Sequence, residues 1–317
     1  MTFAIIIPVY NAEEYIYDCL DSIISQTHQD WEAICVNDGS SDLSGSILNE
    51  YAQKDPRIKV FHKANGGVSS ARNYALSKIS SDIWVSFVDA DDYLSPTMYE
   101  DIELTLEDAD VDYIRLYCNK TKERFSGQKG YGEHKWEILT KDEYFQIGDV
   151  GGYMHSSVIK FSIIRSNNIF FNENLSILED QLFSIQCALC SEFIMLYKKR
   201  NYFYYQNPNS ITKARKDRGL DIINCVNNLI SFCEKEDIFQ SSSYIADYIA
   251  KKWLPSKFIM LIDMKFRLFH GMSEISNLVP NIPIQKYLPK SYKIKYHLLI
   301  LFTDINKILK SIKNIFF

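Results

Sequence analysis

The chain has 317 residues, of which 46% are hydrophobic and 14% aromatic, enough for one large core or two smaller ones. Its formal net charge of −5 is unevenly spread: residues 1–120 carry 21 Asp and Glu against 8 Lys and Arg, whereas residues 286–317 carry 7 Lys and one acid, Asp304. The acidic N-terminal half argues against nucleic acid as a partner and fits a partner with its own positive charge, such as a divalent cation. Phe3–Pro8 reads as a buried strand. Asn11 is expected to cap a helix, with Glu14 three residues on completing a capping box. Ile16, Cys19, Leu20, Ile23 and Ile24 then recur at helical spacing. Ala33–Val36 is a second strand, running into Asn37-Asp38-Gly39-Ser40, and a helix follows over Leu43–Tyr51. Ile58–Phe61 is a third strand, followed by the Gly66-Gly67 turn and a helix over Ser70–Ile79. Ile83–Val88 is a fourth strand, ending at Asp89-Ala90-Asp91-Asp92.

Strands alternating with helices imply a parallel sheet built from right-handed crossovers. Ligands of such sheets bind beyond the carboxyl ends of the strands. Tyr10-Asn11, Asp38, Asn65-Gly66 and Asp89–Asp92 all fall there. Further on, Val111–Tyr117 and Tyr202–Tyr205 read as strands, and 125–134 as a polar loop. After about residue 216 helical periodicity dominates. The expected organisation is therefore an α/β domain over 1–215 and a helical region over 216–317.

Three constellations carry chemistry. Asp89, Asp91 and Asp92 repel one another and need a cation or many donors nearby. They suit Mg²⁺ or Mn²⁺ shared with diphosphate oxygens, or else an acidic helix start ahead of Pro96. Asp38 either closes a turn or accepts hydrogen bonds from a nucleobase. Gly66-Gly67 lets the backbone approach a ligand, the following helix N-terminus attracts phosphate, and Arg72 can pair with it.

Four segments in order resemble family 2 of the inverting glycosyltransferases, which has the GT-A fold. They are Ile6-Ile7-Pro8-Val9-Tyr10-Asn11, Val36-Asn37-Asp38-Gly39-Ser40, Asn65-Gly66-Gly67 with Ser70-Ala71-Arg72-Asn73, and Phe87-Val88-Asp89-Ala90-Asp91-Asp92. Leu178-Glu179-Asp180-Gln181-Leu182-Phe183 is similar to the family's Glu-Asp motif, and Tyr204–Thr212 resembles the strand and loop after it. The resemblance implies a GT-A sheet, Rossmann-like and mostly parallel with flanking helices. It implies that Pro8, Tyr10, Asn11 and Asp38 hold the uridine of a UDP-sugar. Gly66, Gly67, Arg72, Asp89 and Ala90 would line the rest of the donor site. Asp91, with Asp89, would bind Mn²⁺ or Mg²⁺. Asp180 would be the catalytic base, with Glu179 as the alternative. The implied reaction is one in-line displacement that inverts an α-linked donor to a β-linked product. UDP-glucose or UDP-galactose is the favoured donor. The acceptor expected by the same resemblance is a lipid-linked saccharide such as GlcNAc-diphosphate-polyprenol, in O-antigen or capsule repeat-unit synthesis. The rival classes are a nucleotidyltransferase, which would carry a basic Gly-rich loop near its start, and a non-catalytic sugar-binding module, which has no use for both acidic motifs.

Seven scattered cysteines make a poor disulfide framework, and Cys187-x-x-Cys190 has helical spacing, so buried thiols in a reducing compartment are expected. No signal peptide or membrane span is visible, which predicts a cytoplasmic protein. In the tail, Ile305, Ile308, Leu309, Ile312 and Ile315 share a helical face while Lys307, Lys310 and Lys313 fall off it. Such a helix either lies on an anionic membrane, peripheral to its inner face, or packs on the protein's own core.

Overall fold

The computed structural model describes residues 1–106, 109–148, 154–207, 219–238 and 242–263. Contacts divide the chain into two compact units. The first comprises 1–144, 149–173 and 179–214; the second comprises 145–148, 174–178 and 215–317.

The first unit is built on a nine-stranded mixed sheet. Its N-terminal half contains β1 (Phe3–Val9), β2 (Trp31–Asp38), β3 (Ile58–Lys63) and β4 (Trp84–Phe87), in the order β3-β2-β1-β4. All three pairings there are parallel. Apolar runs such as Phe3–Val9 are buried on both faces, as a parallel sheet requires. The crossover helices are α1 (Ile16–Ile24), α2 (Ser44–Lys54) and α3 (Val68–Leu76). Helix α1 buries Ile16, Cys19, Leu20 and Ile23, the periodic set the sequence marks out. Parallel strands send their carboxyl ends to one edge, so Tyr10-Asn11, Asp38 and Asp89–Asp92 emerge together.

The rest of the sheet mixes directions. After β5 (Tyr93–Leu94) and α4 (Met98–Leu106) come β6 (Tyr113–Thr121), β7 (Trp136–Thr140), α5 (Lys141–Ile147), β8 (Ser157–Lys160), α6 (Phe161–Ser166), α7 (Glu179–Cys190) and β9 (Phe193–Tyr205). Strand β8 runs antiparallel between β4 and β6, and β9 lies parallel to β6 but antiparallel to β5 and β7. Along β6 and β9, Leu116 faces Tyr197 and Cys118 faces Tyr202, so β9 advances five residues where β6 advances two. Residues 198–201 thus bulge out of the ladder.

Two expectations change. Asn11 does not cap α1, which starts at Ile16 with no side-chain cap. Asn11 instead has a left-handed backbone, φ 47°, and its Oδ1 accepts from Ser41 N at 2.9 Å. The next loop supplies the missing partners: Ala12 N donates to Ser44 Oγ at 2.8 Å and Glu13 N to Asp42 Oδ2 at 3.0 Å. Glu13 returns the bond by accepting from Leu43 N at 2.7 Å. The Asp89–Asp92 stretch is likewise no helix start. Asp92 N donates to Asp89 O at 3.0 Å, and β5 intervenes before α4.

The described part of the second unit contains α8 (Gly219–Lys235), a helix over Ser243–Tyr248, a π-helical turn over Ile249–Trp253 and a helix over Leu254–Asp263. Within this unit, Ser176 N donates to Asp221 Oδ2 at 3.1 Å. None of the seven cysteines forms a disulfide, and Cys187 lies buried in α7. Among the described residues, no helix is long and apolar enough to cross a membrane. The Asn209-Ser210-Ile211 stretch and the Lys-rich tail lie outside the described residues.

Candidate active site

Asp38 ends β2, where ladder pairing with β3 stops. Its Oδ1 accepts from Lys63 Nζ at 2.6 Å and Gly66 N at 3.0 Å, and its Oδ2 from Gly67 N at 2.7 Å. The carboxylate therefore shapes the Gly66-Gly67 turn and keeps little acceptor capacity for a base. Gly67 begins α3 with φ 88°, and a Cβ on Gly39, φ 72°, would sit 2.8 Å from Asn65 N. The glycines thus serve the joining of the two turns. Tyr10, at 45% exposure, and the partly covered Pro8 leave a surface beside them.

Arg72 points inward from α3. Its Nη2 donates to Asp89 Oδ1 at 2.8 Å, and its Nη1 lies 3.6 Å from Glu179 Oε1. The guanidinium also lies over the Phe171 ring, 5.2 Å from its centre. Phe171 stacks on Phe183 of α7 at 4.0 Å. Asn73 holds the same loop, donating to Phe171 O and accepting from Phe171 N, both at 2.9 Å. The Arg72-Asn73 pair therefore ties two acidic motifs 90 residues apart in sequence into one site.

Burial opposes the charge of Asp89, but Arg72 and His155 outweigh it and hold the carboxyl below its usual range. Asp91 moves the other way: burial and the Asp89 charge raise it, although Asn207 Nδ2 donates to it at 3.1 Å. Burial, Asp89 and Asp91 push Asp92 well above the ordinary carboxylate range. Asp92 is held by Tyr202 Oη at 2.7 Å and Tyr205 N at 2.8 Å, and the Tyr202 hydroxyl accepts from Asp89 N at 3.2 Å. Buried Ala90 lets the turn close between them.

His155 comes from a single 3-10 turn, Met154–Ser156, just before β8. It stacks on Tyr202 with ring centres 4.7 Å apart, and its Nδ1 lies 3.8 Å from Asp89 Oδ2. Burial lowers it to about 4, so near neutral pH the ring is an uncharged imidazole. One ligand atom each from Asp89, Asp92 and His155 lie within 4.8 Å of one another. Two carboxylates and a neutral imidazole fit a divalent cation, Mn²⁺ more readily than Mg²⁺ because of the nitrogen. A cation would also reverse the repulsion that raises Asp91 and Asp92. Asp91 is not one of the three clustered residues. His155 was missed from sequence because nothing in its spacing marks it; the turn brings it under Asp89.

Glu179 and Asp180 open α7, where the helix N-terminus favours carboxylates. Leu178, just before them, has a left-handed backbone, φ 64°, a strained setting for a branched side chain. Burial and then Asp180 raise Glu179 to about 7. Burial also raises Asp180, with Arg72 acting against it. Glu179 lies 3.6 Å from Arg72, and Asp180 accepts from its neighbour Gln181 N at 2.7 Å.

The chain is 34% identical to the glycosyltransferase EpsJ of Bacillus subtilis over 231 residues, which are 69% of this chain and 65% of that relative. It is 42% identical to the glycosyltransferase GlyA of Streptococcus pneumoniae over 288 residues, 90% of this chain but 36% of the relative. It therefore spans under two thirds of the length of either. The fold matches residues 1–349 of Staphylococcus aureus TarS in complex with UDP-GlcNAc, with a TM-score of 0.76 and 21% identity, covering 96% of this chain and 89% of that one. The sequence model of glycosyl transferase family 2 matches residues 4–165, from β1 through α6. With a GT-A sheet, its acidic turn at the edge where parallel strands end, and relatives of this similarity, the chain belongs to glycosyl transferase family 2.

Proposed function

We propose that this protein transfers a hexose from a UDP-sugar to a saccharide acceptor, with inversion to a β-linkage. Residues 1–215 form the catalytic part and 216–317 an accessory helical region. The observation that carries the reading is the meeting of Asp89 and Glu179-Asp180 around the buried Arg72. A nucleotide site and a proton acceptor then face the same space. Pro8, Tyr10, Asn11 and the Asp38-supported turn of Gly66 and Gly67 bind the uridine end. Asp89 and Ala90 lie beneath the ribose and diphosphate.

Asp89, Asp92 and His155 would hold Mn²⁺ or Mg²⁺, with Asp91 beside them as a further oxygen ligand. The cation supplies neutralisation of the departing diphosphate. Arg72 keeps Asp89 ionised and orients Glu179. Asp180 takes the proton from the acceptor hydroxyl as oxygen attacks the anomeric carbon and UDP leaves. A positioned base of this kind contributes about 10²–10⁴-fold.

UDP-glucose and UDP-galactose are the first donors to try, and the TarS complex adds UDP-GlcNAc. The acceptor we favour is a lipid-linked saccharide, such as GlcNAc-diphosphate-polyprenol, in synthesis of an O-antigen, capsule or related surface glycan. The enzyme would then work in the cytoplasm, peripheral to the inner face of the membrane.

The test is a UDP-sugar panel with lipid-diphosphate GlcNAc, following free UDP and determining product configuration by NMR. Acceptor-dependent UDP release with a β-linked product is expected. Hydrolysis without transfer, or an α-linked product, rejects the reading.

A further inference from the structure

A cleft in this acidic protein has the opposite charge. A hollow of about 600 Å³ is lined by Arg115, Asn119, Lys120, Ser156 and Arg200 among others, and no Asp or Glu is on its wall. A hollow of this size accommodates a saccharide unit with a charged group attached. None of the three cations forms an ion pair among the described residues. Arg115 Nη1 instead donates to Ser156 Oγ, and lies 3.3 Å from Ser156 O.

The fold builds this cleft. Arg200 sits in the bulge of β9 between its pairings at Tyr197 and Tyr202. Asn119 Nδ2 holds Arg200 O at 2.9 Å, and Arg200 N donates to Tyr131 O at 2.8 Å. The bulge is thereby pinned on both sides, which is how a sheet re-aims a side chain beside a site.

The cleft adjoins the catalytic centre. Ser156 on its wall follows His155 directly, and the charge of Arg115 acts on that imidazole. Cys118, also on the wall, feels the charge of Asp92. An anionic acceptor approaching Asp89–Asp92 would be repelled; three unpaired cations next door offset that and fix its position.

We propose that this cleft is an acceptor subsite for a phosphate ester carried by the acceptor, close to the hydroxyl that is glycosylated. The proposal rests on the glycosyltransferase reading above. The phosphate could belong to a lipid diphosphate or to a polyol phosphodiester, and both present the same chemistry to the cleft.

The experiment uses the full chain with Mg²⁺ and saturating UDP, and calorimetry of three probes. These are an uncharged alkyl N-acetylglucosaminide, the same sugar on an alkyl diphosphate, and a short glycerol phosphodiester oligomer. At least one phosphorylated probe should bind about tenfold or more tighter than the glycoside, with the margin shrinking as NaCl is raised. The probe that holds the margin identifies the source of the phosphate. Lys120→Gln with Arg200→Gln, both at exposed positions, should erase the margin and leave UDP affinity and glycoside binding unchanged. Three probes that bind alike, or a double variant that keeps the margin, overturn the proposal. A parallel loss of UDP affinity also overturns it, since the cleft would then hold the donor's diphosphate. Failure of the wild-type chain to bind UDP strikes the glycosyltransferase reading instead, and the probe margin still decides the cleft.

Discussion

Arg72 is the residue on which the site's electrostatics turn. Two partly buried acids face it, Asp89 at 2.8 Å and Glu179 at 3.6 Å. Arg72→Met removes the guanidinium from both, so stability should fall by about 1–3 kcal/mol in urea unfolding, with turnover lost as well. Arg72→Lys should recover part of the stability but less of the turnover, because a point charge cannot span both partners. The acid pair predicts two pH effects. Glu179 is raised to about 7 and Asp180 is raised above its usual value, so turnover should climb as pH rises above the ordinary carboxylate range and the base ionises. Asp180→Asn should abolish turnover while UDP binding is kept. For stability the sign is opposite. A carboxyl raised in the folded state binds more protons than in the unfolded chain between its ordinary value, 4.5, and about 7. Stability of the metal-free protein should therefore fall as pH rises through that window, and Glu179→Gln should flatten the fall. An equal slope in wild type and variant, by denaturation at pH 5 and pH 8, would contradict this.

At the scale of elements, the strand-to-helix turns hold the donor side together. Gly67 has φ 88° with open space where a Cβ would stand, whereas Gly39 combines φ 72° with a Cβ contact of 2.8 Å to Asn65 N. Gly67→Ala should cost about 1–3 kcal/mol, and Gly39→Ala more, because at Gly39 strain and a backbone clash add. Urea melts rank the two, and UDP titration should find Gly39→Ala the weaker binder, since it would force the β2–α2 turn off Asn65. An equal cost for both would mean that the clash is relieved elsewhere. Element boundaries followed the apolar pattern well in the parallel half, where β1, β2 and β4 are nearly continuous buried runs. The capping box at Asn11 failed for a physical reason. The loop's donors are satisfied by Asp42, Ser44 and Ser40 from the neighbouring loop, and a local pattern cannot anticipate partners 29 to 32 residues away.

At the scale of the whole molecule, the donor motifs and the lysine-rich tail lie at opposite ends of the sequence. Chelator should abolish transfer, with Mn²⁺ or Mg²⁺ restoring it; full activity in excess chelator would reject a metal at Asp89, Asp92 and His155. His155→Ala should weaken Mn²⁺ affinity more than Mg²⁺ affinity, measured by restoring activity to the chelated enzyme with each ion, because the imidazole favours the softer ion. Deleting residues from Thr303 onward should weaken co-sedimentation with anionic liposomes, each Lys near such a surface being worth about 1 kcal/mol. Transfer to a soluble acceptor analogue should be unchanged, and high salt should make the full-length chain resemble the truncation. Equal loss of both activities would assign the tail to the core instead.

The sequence by itself determined the family, the parallel half of the sheet and the placing of its polar motifs on one edge. Those features are local: apolar runs with period, and glycines and acids at strand ends. It also located both acidic motifs, at Asp89–Asp92 and Glu179-Asp180. Only the tertiary structure decided what each residue touches. Asp38 spends its oxygens on Lys63 and the Gly66-Gly67 turn, and Arg72 bridges the acids from within. His155 joins Asp89 and Asp92 from a 3-10 turn more than 60 residues later, and Arg200 reaches its cleft through a bulge. These contacts cross long sequence separations and depend on how antiparallel β8 and the bulged β9 are inserted into the sheet. No spacing along one chain encodes such pairing, because it is set by packing among elements that meet only when the fold is complete.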